Sequence, residues 1–119
     1  MLKLLVAEDE WLILSLIADA LAGSRFEIAE RTASVADSLR LIDGHHFDAA
    51  VLDANLGGES SQPVAARLQA TGVPFLLLTA YASDRLGRSF GVAPRLIKPF
   101  TQERLRAALA ALAGIGAAG

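Results

Sequence analysis

Three apolar runs in this chain end on charge. Leu2 to Ala7, apolar except for Lys3, is followed by Glu8 and Asp9; the run closing at Leu52 is followed by Asp53; a third ends on Lys98-Pro99. If these runs are neighbouring parallel strands, three carboxylates and one ammonium converge at one sheet edge. Carboxylates a few ångströms apart raise one another's pKa, and a hard, oxygen-seeking divalent cation removes that penalty. Lys98 beside them would balance the charge of a phosphoryl group, whose transfer depends mostly on positioning and charge neutralisation. Thr79 closes a fourth run, Val73 to Thr79, and brings a hydroxyl to the same level.

Each signal has a plainer reading. An acid pair after a strand suits a solvated helix start, where carboxylates favour the dipole. Asp53 could be a turn aspartate, Thr79 could simply end a β-branched strand, and Lys98-Pro99 could be an ordinary turn. The order of all five along the chain is what argues against coincidence. His45-His46 has no ligand partner at a useful spacing, so no metal role is assigned to it. Trp11 and Phe100 are read as packing residues. Gly57-Gly58 lacks the pattern of a nucleotide-binding loop.

The elements that must position these residues follow from apolar periodicity. Strands are expected at Leu2 to Ala7, Phe26 to Arg31, Phe47 to Leu52, Val73 to Thr79 and Arg95 to Lys98, the second of them at a sheet edge. Helices are expected at Glu10 to Leu21, with Leu14, Ile17, Ala18 and Leu21 on the buried face, and from Ser34 as N-cap to about Asp43, with Val35, Leu39 and Ile42 inward. A third begins near Pro63, where a first helical turn tolerates proline, and Thr101 caps a last helix to about Ala113. Its buried face is Leu105, Leu109 and Leu112, with an Ala/Gly tail behind. Gly57 to Ser61 reads as a loop. Between Tyr81 and Ala93, Asp84 to Phe90 could make two helical turns, weakened by Gly87 and Gly91. Strands alternating with helices imply an α/β domain, doubly wound about a five-stranded parallel sheet, with ligands beyond the C-terminal strand ends.

Composition narrows the function. The chain has 119 residues, 53% hydrophobic and 20% charged, which suits one domain spanning 1–119 with its core at about 3–113. Eleven basic against 13 acidic side chains give a net charge of −2, so no basic field draws in nucleic acid. Cysteine is absent, which excludes thiolate metal sites and cysteine nucleophiles. No apolar stretch approaches the roughly 20 residues of a membrane span, and a cytoplasmic location without a membrane partner is expected.

The motifs VAEDE, AVLDANLGG, LLLTAY and LIKPF, in this order and at these strand ends, resemble the receiver domains of two-component response regulators. The resemblance runs from about Lys3 to Leu112. It implies a flavodoxin-like receiver fold, with strand order 2-1-3-4-5, in which Asp53 is the phosphoacceptor and Mg²⁺ is the cofactor. Asp9 would ligate the ion directly, Glu8 mainly through a water, and Asn55 through its backbone carbonyl. Thr79 and Lys98 would contact the phosphoryl oxygens. Mg²⁺ usually takes one or two protein carboxylates and keeps some waters, which agrees with that division. Because Lys98 precedes proline, an extended backbone is expected to aim its side chain.

The implied partners are a histidine kinase or histidine phosphotransfer protein and a downstream protein target. Such a domain catalyses only its own phosphorylation and dephosphorylation. LDANLGGES is similar to stand-alone bacterial receivers, and Met1 directly before the first strand favours an intact start. The alternatives are a phosphorylation-independent binding module of the same fold, a flavodoxin-like cofactor protein, and a receiver fragment of a hybrid kinase or larger regulator. The sequence departs from the family at Arg95, where many receivers carry a switch aromatic. The signal is expected to leave through a protein surface, with the segment from Tyr81 to Arg95 changing order.

Overall fold

In the computed structural model, residues 1–80, 90, 91 and 93–118 are described, the last four of them by backbone alone. Five parallel strands form the sheet: β1 (Leu2–Ala7), β2 (Phe26–Thr32), β3 (Ala49–Asp53), β6 (Phe75–Thr79) and β7 (Arg95–Ile97). Their spatial order is β2-β1-β3-β6-β7, which is the expected 2-1-3-4-5 with β2 at an edge. A small hairpin, β4 (Asn55–Leu56) and β5 (Glu59–Ser60), follows β3. The described helices are α1 (Trp11–Leu21), α2 (Val35–Gly44), α3 (Gln62–Ala70) and α4 (Gln102–Ala118).

Alternation along the central strands sets the layers. Leu4, Val6, Val51, Leu76 and Leu78 face one way, against Ile17, Ala20 and Leu21 of α1 and Leu105, Leu109 and Leu112 of α4. Their neighbours Leu5, Ala7, Ala50, Leu52, Phe75 and Leu77 face the other way, against Val35, Leu41 and Ile42 of α2 and Val64, Ala65 and Leu68 of α3. Central strands buried on both faces must read as unbroken apolar runs, which is why β3 and β6 were legible. Truncating a leucine such as Leu77, fully buried here, would cost about 2–5 kcal/mol through lost transfer energy and the cavity left.

Local chemistry fixes the element ends. The Ser34 hydroxyl accepts from the Asp37 amide at 3.1 Å and caps α2, as expected. Thr101 does the same for α4, accepting from Arg104 at 3.1 Å. The loop expected from Gly57 to Ser61 is instead mostly the hairpin, turned by Gly57 and Gly58 at φ 58° and 85°, values a side chain would strain. Helix α4 runs on to Ala118 through the alanine-rich stretch expected to be a tail; alanine is the strongest helix former. The helix expected from Asp84 to Phe90, and most of the Tyr81 to Arg95 segment, lie outside the described residues.

Trp11 corrects the sequence reading. It is 74% exposed rather than packed, because it opens α1 on the turn that faces solvent above the sheet. Within the same helix Ala20, not Ala18, completes the buried face. Phe100 is partly buried and packs against the α1/α4 layer, as expected.

Candidate functional site

Strand register brings the acids together. Ala7 pairs with Leu52, so Glu8 and Asp53 follow at one level. Asp53 pairs with Leu78, and Thr79 lies one step beyond it. Thr79 pairs in turn with Ile97, and the Lys98 amide donates to the Thr79 carbonyl at 2.7 Å. Four strands therefore end on Glu8, Asp53, Thr79 and Lys98 side by side. Glu8, Asp53 and Thr79 are buried.

Lys98 is the hub. Its ammonium lies 2.9 Å from Asp53 Oδ2, 3.3 Å from Glu10 Oε1 and 3.5 Å from Glu8 Oε1. Burial acts to lower the Lys98 pKa, but the hydrogen bond and charge of Asp53, then the charge of Glu8 and the hydrogen bond of Glu10, outweigh it and raise the value. The ammonium is thus held charged against the carboxylates.

Glu8 behaves in the opposite way. Burial, then the hydrogen bond and charge of Asp53, push its carboxyl up to about 8 from 4.5, only partly offset by Lys98. Its Oε1 accepts from the Glu10 amide at 3.2 Å. Its Oε2 is buried without a hydrogen-bond partner. A buried orphan oxygen is costly, and a cation beside it would remove both the cost and the repulsion.

The other expected residues gather around the same pocket, about 250 Å³ and lined by Asp9, Glu10, Asp53, Asn55, Thr79 and Lys98. Asp9 is exposed, and its Oδ2 accepts from the Gly57 amide at 3.2 Å. Asn55 donates its amide to Asp53 Oδ1 at 3.1 Å. Its side-chain oxygen accepts from Gly58 at 3.1 Å, so the hairpin holds the rim of the pocket.

Among the described residues, the acids with ligand atoms within 4.8 Å of one another are Glu8, Glu10 and Asp53. Glu10 was missed in the sequence, where it reads as the first residue of a helix. Its signal was the third consecutive acid of the EDE run. Ser61 was also missed; its hydroxyl donates to the Asp53 carbonyl and fixes the backbone there. No sequence pattern announces that contact. His46 pairs with Asp48 at 3.2 Å, and His45 Nδ1 lies 3.2 Å from the Leu41 carbonyl.

A five-stranded, doubly wound α/β domain with acids and a lysine at its C-terminal strand ends defines the class. The family described as the response regulator receiver domain matches residues 4–110, and this chain belongs to it. The transcriptional regulatory protein TcrA of Mycobacterium tuberculosis is 38% identical over 122 residues, which cover 96% of this chain and 47% of that protein. The two-component response regulator PhoP of Pseudomonas aeruginosa is 33% identical over 116 residues, covering 93% of this chain and 51% of its own length. The chain thus spans about half the length of these curated relatives. The solution structure of SdrG from Sphingomonas melonis Fr1 aligns with a TM-score of 0.79 at 38% identity, covering 95% of this chain and 97% of that one. No described helix is long and apolar enough to cross a membrane.

Proposed function

We propose that this receiver domain takes a phosphoryl group onto Asp53 from a histidine kinase or histidine phosphotransfer protein, and passes the signal on by protein–protein contact. The observation that carries the reading is the Lys98 ammonium, 2.9 Å from Asp53 Oδ2, beside the unpartnered oxygen of Glu8. The two groups are the neutralising charge and the cation ligand that phosphoryl transfer to a carboxylate requires.

The residues present fit Mg²⁺. Glu8 and Asp53 bring carboxylate oxygens together, with one of Glu10 within 4.8 Å of both; Asp9 and Asn55 line the same pocket and would add a carboxylate and a backbone carbonyl. When bound, the ion would neutralise charge on the phosphoryl oxygens. Asp53 attacks phosphorus as the P–N bond to the donor histidine breaks; Lys98, 2.9 Å from that carboxylate, takes up phosphoryl charge, and the buried Thr79 offers a hydroxyl at the same level. Burial of Glu8 and Asp53 limits water at the reacting carboxylate. The domain turns over no metabolite; its chemistry is confined to its own modification.

Two exposed apolar side chains support the contact role. Trp11, 74% exposed, follows Glu10, and Ile97, 49% exposed, precedes Lys98, so both adjoin the rim where a donor must approach. The test is transfer from a panel of phosphorylated histidine kinases to the native chain and to Asp53→Asn. At least one kinase should label the native chain rapidly and leave the variant unlabelled; equal labelling of both would refute the reading.

A further inference from the structure

Glu10 is the one acid at this sheet edge to which the phosphoacceptor reading gives no task. Its side chain is 61% exposed, yet it holds the Lys98 ammonium at 3.3 Å. Asp53 holds the same ammonium at 2.9 Å, and the Lys98 side chain is only 17% exposed. Glu10 also brings an oxygen within 4.8 Å of those of Glu8 and Asp53. A fixed negative charge therefore stands at the mouth through which any donor reaches Asp53.

Resting on the phosphoacceptor reading, we propose that Glu10 is a specificity-determining residue for the phosphoryl donor. It disfavours small dianionic donors relative to donors whose leaving group already carries a proton and so departs neutral. The argument is electrostatic. An incoming phosphoryl group must take Lys98 from Glu10, which leaves the Glu10 carboxylate uncompensated and facing the donor. Repulsion at that range grows with the donor's charge, since the two groups meet at a half-exposed rim rather than in bulk water.

The leaving group adds to the difference. As an Asp53 oxygen bonds to phosphorus, an acyl phosphate loses its bridging P–O bond and the electron pair departs with a carboxylate, a new anion beside Glu10. Phosphoramidate loses its P–N bond instead. Its nitrogen is already protonated, so it departs as neutral ammonia. A phosphohistidine donor protonated at its other ring nitrogen likewise takes the P–N electron pair and departs as neutral imidazole. Glu10 thus penalises the first class and tolerates the second.

The experiment uses the full chain at Mg²⁺ concentrations that saturate each variant. Initial phosphorylation rates are measured for the native protein, Glu10→Gln and Glu10→Asp, with acetyl phosphate, a dianion at neutral pH, and with phosphoramidate, a monoanion. Glu10→Gln should speed acetyl phosphate about three- to tenfold at low salt and phosphoramidate less than about twofold. The gap should narrow at high salt. Glu10→Asp, which keeps the charge, should keep the native ratio. An equal change for both donors, or none, overturns the proposal. A native chain labelled by neither donor overturns the phosphoacceptor reading itself, and this inference with it.

Discussion

Gly57 and Asp9, 48 residues apart, are joined by a hydrogen bond from the Gly57 amide to Asp9 Oδ2 at 3.2 Å. The acid pair after β1 is thereby tied to the hairpin after β3. Gly57 has φ 58°, and a Cβ there would meet no atom closer than the Ala33 carbonyl oxygen at 3.6 Å. The cost of Gly57→Ala is therefore conformational rather than steric, about 1 kcal/mol. Thermal unfolding should show a Tm lower by several degrees. An unchanged Tm would mean that the turn does not need its left-handed glycine.

Replacing Asp9 with Ala should weaken Mg²⁺ binding more than replacing Glu8, because a direct ligand loses a full inner-sphere bond. Trp11, exposed and two residues after Asp9 in the chain, is the reporter for a fluorescence titration. Equal losses would contradict this division, and a larger loss for Glu8 would assign the inner-sphere role to its unpartnered oxygen.

Glu8 makes the metal-free protein pH-sensitive. Its folded pKa of about 8 lies above the ordinary 4.5, so between those values the folded state holds a proton that the unfolded state has released. Stability should fall as pH rises from about 5 to 8 in chelator, and Glu8→Gln should flatten that slope. Mg²⁺ binding at pH 7 should also release protons, since the ion requires the carboxylate form. Calorimetry in buffers of different ionisation enthalpy reads this directly; identical apparent enthalpies would contradict it.

Asp48 gives the opposite sign. Its Oδ2 accepts from the Lys3 amide at 2.7 Å, and that bond first, then His46, holds its carboxyl below the ordinary 3.8. The stabilisation is present above 3.8 and lost as pH falls through the lower folded value. Asp48→Ala should cost about 1 kcal/mol at neutral pH. The difference from the native protein should close in acid; a gap that persists there would locate the cost elsewhere.

What could be read from the sequence follows from burial. Strands β1, β3 and β6 are covered on both faces, so their apolar runs and the polar residues ending them stood out, and with them Glu8, Asp53 and Thr79, while Lys98 was marked by the proline that follows it. The hairpin was hidden because two-residue strands have no period to detect. Trp11 was misread because WLILSLIADAL is apolar almost all round, leaving no stripe to mark the outer face. Glu10 was hidden for a different reason: an acid at a helix start is accounted for by the helix dipole alone. Only the fold brings it to Lys98, 88 residues away.

The central claim is that Asp53 carries the phosphoryl group and that a divalent cation is required. Intact mass measured after incubation with phosphoramidate and Mg²⁺ should show one added phosphoryl group, mapped to Asp53, absent with chelator and absent in Asp53→Asn. Undiminished phosphorylation of that variant, or labelling indifferent to chelator, would contradict the account.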